Sequence, residues 1–130
     1  MAGALLLFIS VSGYAVYLFQ PHGYRNLERL ESTANRCTLT SSSIADVSDC
    51  FRQEGIQFSA LPKAQEETLI YSDGRVRITA HKGDTPMTAM TRSGATGPFP
   101  CGRVDVQIVL VFGQDEMLRD RSVKRVYICP

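Results

Sequence analysis

The sequence predicts an α+β protein. An N-terminal transmembrane helix leads into a small domain in which one helix packs on an antiparallel sheet of four or five strands. Three observations carry this reading. Residues 1–19 contain no charged side chain, and fifteen of them are hydrophobic. Residues 44–54 place apolar side chains on one helical face behind a capping signal. Residues 101–112 alternate with period two, and a second strand-like run closes the chain. At 130 residues there is room for one domain. The expected division is an anchor or signal segment over 1–20, a juxtamembrane stalk over 21–36, and a disulfide-containing domain over 37–130.

As a helix, residues 1–19 would extend about 28 Å at about 1.5 Å per residue, against a hydrocarbon core of roughly 30 Å. Tyr14, Tyr17 and Phe19 gather at one end as an interfacial aromatic belt would. Gln20-Pro21-His22-Gly23 then stops the helix. A cleavable signal peptide and a buried core helix are the competing readings. The first lacks a basic leading region. The second fits poorly with nineteen residues and no charge. The bilayer is therefore the first expected partner, through residues 1–19. Orientation is contested within the sequence. Arg25, Arg29 and Arg36 follow the span and argue for a cytoplasmic domain, whereas the cysteines argue for an oxidising, periplasmic side.

After the anchor, Leu27, Leu30 and Ala34 fall at helical spacing, either a short amphipathic helix or a plain spacer. Ser43 then offers an N-cap with Asp46 three residues on. Ile44, Val47 and Phe51 share a face, and Gly55 ends the helix at the position that glycine favours. Residues 56–60 alternate as a short strand. Residues 68–80, TLIYSDGRVRITA, hold Asp73-Gly74, a two-residue hairpin signal. That turn sets Tyr71 against Val76 and Leu69 against Ile78. The hairpin is expected in the same sheet as 101–112, with helix 44–54 covering their apolar face.

Residues 81–100 carry repeated Gly and Pro and little periodicity. They read as a long surface loop, and Met87, Met90, Arg92 and Phe99 are its candidates for partner contact. From Cys101 the alternation is regular. Val104, Val106, Ile108, Leu110 and Phe112 share one face. Arg103, Asp105 and Gln107 begin the other, which becomes apolar at Val109 and Val111, as in a central strand. A polar turn over 113–120 and a strand over 122–129 follow.

Four cysteines, Cys37, Cys50, Cys101 and Cys129, include no CxxC pair, which removes zinc-ribbon and thioredoxin-like readings. An even number in a small domain behind a membrane segment points to two disulfides. Pairing the last two strands with Val104 opposite Val126 sets Cys101 opposite Cys129. That pairs Cys37 with Cys50.

Charge narrows the function classes. The chain has 14 Lys plus Arg and 13 Asp plus Glu, a formal net charge of +1. A near-neutral domain lacks the electrostatic footprint of a nucleic-acid binder. His22 and His81 stand without companions at motif spacing. No phosphate-cradling glycine motif, metal-ligand set or small-molecule cofactor signature is present. The reading is a non-enzymatic, single-pass membrane protein whose extracytoplasmic domain binds or helps assemble another envelope protein. An inhibitor or immunity-type protein of the periplasm is the alternative, and a small hydrolase using His81 a distant third.

Overall fold

The computed structural model describes residues 24–72, 76–95, 97 and 100–129. The expected anchor over 1–20, the Asp73-Gly74 turn and Phe99 lie outside the described residues. Among the described residues, no helix is long and apolar enough to cross a membrane.

The fold is α+β with two helices and a four-stranded antiparallel sheet. Helix α1 spans Tyr24–Cys37 and α2 spans Ile44–Gln53. The strands are β1 (Phe58–Ala60), β2 (Thr68–Ser72), β3 (Val76–Ala80), β4 (Thr85–Ala95), β5 (Arg103–Phe112) and β6 (Leu118–Ile128). The sheet runs β1-β4-β5-β6, and β2-β3 form a separate two-stranded hairpin.

Residues 24–36, expected as a stalk ahead of the domain, belong to its core. Leu27, Leu30, Ala34 and Cys37 recur every three or four residues and are all buried. They lay α1 across β4, β5 and β6. Side chains fasten the helix to the strands beneath it. Arg125 Nε lies 2.5 Å from Glu31 Oε1. Arg121 Nη1 donates to Asn35 Oδ1 at 2.9 Å and to Thr38 Oγ1 at 2.8 Å.

Helix α2 forms where the sequence indicates. Ser43 Oγ accepts from the Asp46 amide at 3.1 Å, and Gly55 adopts a φ of 72° just beyond the last turn. Val47 and Phe51 are fully buried in the main core. The expected cover helix over the sheet is nevertheless α1. Helix α2 packs beside α1 and is bound to it by the Cys37–Cys50 disulfide. Phe51 reaches β1, with its ring centroid 5.8 Å from that of Phe58.

The largest correction concerns residues 81–100. They contain β4, an eleven-residue strand paired with both β1 and β5. Punctuation hid it. Pro86 sits where β4 meets the end of β1, and its carbonyl accepts from the Leu61 amide at 2.9 Å. That carbonyl points away from β5, so the N–H that Pro86 lacks takes no bond from the β4–β5 ladder. Gly94, at a φ of 78°, lies in the irregularity between Arg92 and Ala95. Gly83 belongs to the turn before the strand.

Two registers also differ by one residue. In the hairpin, Ile70 pairs with Ile78 and Leu69 with Thr79, because three residues rather than two separate the paired Ser72 and Val76. The slip turns Ile70, Ile78 and Ala80 onto the sheet and leaves Leu69 exposed. The hairpin therefore does not extend the main sheet; it lies across the face opposite α1, over Val109 and Val111. Between β5 and β6, Phe112 pairs with Leu118, but Val111 pairs with Asp120, so Arg119 is an extra residue. Beyond this bulge Val104 faces Tyr127 rather than Val126. Cys101 and Cys129 lie just past the paired residues and are joined in a disulfide. Both disulfides thus have the expected partners. The register used to deduce the second holds only on the turn side of the bulge.

The bulged Arg119 holds the hairpin in place. Its Nη2 lies 2.6 Å from the buried Asp84 Oδ2 and donates to the Thr79 carbonyl at 2.7 Å. The same Asp84 oxygen accepts from the His81 amide at 2.7 Å.

Candidate functional site

The two faces of the sheet are finished differently. Under α1 and α2 the apolar side chains of β4, β5 and β6 form one continuous core. On the hairpin side, the register sets side chains in rows across β4, β5 and β6. Two rows, Pro86–Val111–Asp120 and Thr88–Val109–Ser122, include the valines that meet Ile78 and Ala80. The next two rows are Met90–Gln107–Lys124 and Arg92–Asp105–Val126. Here Met90 is 49% exposed, Arg92 is exposed, and Gln107 and Lys124 are half-buried. Asp105 is buried, with Oδ2 3.0 Å from Arg103 Nε, while its Oδ1 has no hydrogen-bond partner among the described residues.

The edge beside these rows is incomplete. Strand β1 has three residues and pairs only with Met87–Ala89 of β4. Past Ala89, the backbone from Gln57 back to Gly55 turns towards α2, and the Ile56 amide bonds to the Phe51 carbonyl at 2.8 Å. A groove opens between that backbone and β4. Gly55, Ile56, Gln57, Phe58, Met90 and Gln107 line it, and Arg52 stands at its rim. The Arg52 guanidinium lies 5.4 Å from the Phe58 ring centroid, a cation–π arrangement. The outward backbone of β4 is next claimed at Ser93, whose carbonyl accepts from Asn26 Nδ2 at 2.7 Å. Met90–Arg92 is thus a stretch of strand with no described strand on its outer side. Such an edge can take up an extended chain through main-chain hydrogen bonds.

The partner residues read from the sequence divide sharply. Met90 and Arg92 lie on this edge. Met87 is buried in the main core, three residues from Met90 yet on the opposite face. Phe99 lies outside the described residues. Arg52, Phe58, Gln107 and Lys124 join the site without having been singled out. Gln107 was legible as part of the polar side of β5. The approach of Arg52 and Phe58 depends on the path of the chain beyond Gly55, which marks the end of α2 but not where the chain goes next.

His81 is exposed, with Nδ1 3.9 Å from Glu67 Oε2. Among the described residues, no group of three or more His, Cys, Asp or Glu is arranged to hold a metal ion. No family of known proteins matches the chain, and neither a characterised protein nor a solved structure is significantly similar to it.

Proposed function

We propose that this chain is a membrane-anchored, non-enzymatic binding domain on the extracytoplasmic side, and that it takes up an extended segment of another envelope protein along Met90–Arg92 of β4. One observation carries the reading. Strand β4 has eleven residues, β1 covers three of them, and a groove opens where that cover ends. A fold normally blunts such an edge or covers it. The opposite edge, β6, is blunted: it carries a bulge, and Arg119, Arg121 and Arg125 are tied to Asp84, Asn35 and Glu31. Two disulfides in a small domain suit an oxidising compartment. The apolar run 1–19 supports attachment to a bilayer.

A photo-crosslinking amino acid in place of Met90, in the full chain in its own membrane, tests this. The expected result is a discrete protein adduct at position 90, none with the same group at the exposed Lys63, and loss of the adduct on adding Arg92→Pro. Equal adducts at 90 and 63, or an adduct indifferent to Arg92→Pro, would remove the edge as the site.

A further inference from the structure

We infer that the segment received along Met90–Arg92 is acidic, with a carboxylate opposite Arg92 and an apolar side chain opposite Met90. This rests on the strand-edge reading above and adds the chemistry of the partner.

The charged residue lining the groove is Arg52, and the exposed or half-buried charged groups in the rows of Met90 and Arg92 are cations; Glu54, next to the lining Gly55, is held by Arg36 at 2.6 Å. Arg52 is at the rim, Arg92 is on the open strand, and Lys124 lies across the sheet from Met90 in the same row. Neither Arg92 nor Lys124 takes part in an ion pair among the described residues. Arg52 approaches Asp49 at 3.3 Å, but both side chains are about two-thirds exposed, at 68% and 67%. A helix-surface pair of that kind contributes only a few tenths of a kcal/mol and yields readily to a competing carboxylate. The carboxylate within these rows, Asp105, is not on offer to a partner. It is 2% exposed and already paired with Arg103. The surface therefore presents uncompensated cations and no accessible anion in the rows a new strand would flank.

Strand geometry turns this into a pattern. Side chains of an added strand alternate between the two faces, so those on the hairpin side lie beside Met90 and Arg92 in turn. Met90 offers a flexible apolar surface. Arg92 offers a planar fork suited to a carboxylate. Complementary charge speeds encounter and discriminates between partners. Main-chain hydrogen bonds supply the contact common to any extended chain.

The test uses the full chain in micelles of a neutral detergent and three end-blocked peptides of about six residues. Each centres a Val between two Glu, two Gln or two Lys placed two residues away on either side, with Thr between, so that the Val and the tested side chains share one face of the strand, and binding is read by fluorescence anisotropy. The Glu peptide should bind at least about tenfold tighter than the Gln peptide, and the margin should shrink as salt is raised. The Lys peptide should not bind. Arg92→Glu should reverse the order of the Glu and Lys peptides. Arg92→Pro should abolish all binding while circular dichroism and the melting curve stay as in the parent. Equal binding of the Glu and Lys peptides, both lost in Arg92→Pro, would overturn the acidic partner and leave the strand-edge reading intact. Absence of binding by every peptide, or binding that survives Arg92→Pro, would overturn both. Binding of phosphatidylglycerol vesicles but of no peptide would assign the cations to lipid headgroups and overturn the inference.

Discussion

The face of the sheet under α1 and the face under the hairpin are made from the same strands, yet they differ in how much is covered. Among the described residues, sixteen buried ones form the first core, from Leu27 of α1 to Leu118 of β6. Among the same residues, Ile78, Ala80, Val109 and Val111 form the second. Along β5 the α1 face stays apolar from Val104 to Phe112, while the hairpin face changes from Asp105 and Gln107 to Val109 and Val111. The position of the hairpin follows from that change. It covers the apolar half, and the polar half is left beside the open stretch of β4. The fully covered face fixes the fold, and the partly covered one holds the polar and charged side chains on which the proposed binding rests.

The severest way to break this comparison is to remove the strand shared by both faces. Replacing residues 84–98 with a short Gly/Ser linker deletes β4, which joins β1 to β5, together with Asp84, the anchor of Arg119. The protein should lose cooperative thermal unfolding and chemical-shift dispersion. Had these residues been a surface loop, the same replacement would have left the domain folded; a sharp melt in the replaced protein would count against β4 as described.

Single truncations compare the two cores. Phe51 is fully buried in the first, and Phe51→Ala should cost about 3–5 kcal/mol in denaturant unfolding. Against a total of about 5–15 kcal/mol for a small domain, expression should fall as well. Ile78→Ala removes the largest side chain from the second core, and a cost nearer 2 kcal/mol is expected, the low end of the range for such truncations. Its signature should be local. Amides of β2 and β3 should exchange faster, with those of β5 unchanged. Equal acceleration throughout β5 would mean that the hairpin and the sheet unfold as one unit.

How far the sequence disclosed this follows from contrast between neighbouring residues. Val104 to Phe112 alternates strongly against Arg103, Asp105 and Gln107, and β5 is where it was expected. The cap at Ser43 and the stop at Gly55 are local chemistry and define α2. Strand β4 reads Thr-Pro-Met-Thr-Ala-Met-Thr-Arg-Ser-Gly-Ala. Apart from Met87 its inward residues are small or weakly polar, so burial leaves no clear period, and Pro86 and Gly94 imitate loop punctuation. The one-residue slips arise from a longer hairpin connection and from the bulge at Arg119, and tertiary contacts fix both. The disulfide partners survived the register error because Cys101 and Cys129 lie at the open end of the strand pair, near one another in either register. The groove was illegible for a different reason. It exists because β1 ends early, and no residue within β4 reports the length of its neighbour.

Met87 and Met90 offer the smallest and most discriminating test. They are the same residue type, three positions apart on one strand, and no local pattern separates them. The structure puts Met87 in the first core at 1% exposure and Met90 on the groove at 49%. Met87→Ala leaves a cavity in the first core, beside its strand partner Leu110, and should cost about 2–5 kcal/mol. Met90→Ala opens no cavity and should change stability by no more than about 0.5 kcal/mol, as surface substitutions usually do. Its effect should appear instead in binding of the Glu-bearing peptide, as faster dissociation with association little changed, because the charges that steer encounter are untouched. Comparable destabilisation by the two substitutions would mean that Met90 is also core, and the distinction between a stabilising face and a receiving face would fail at the residue where it is sharpest.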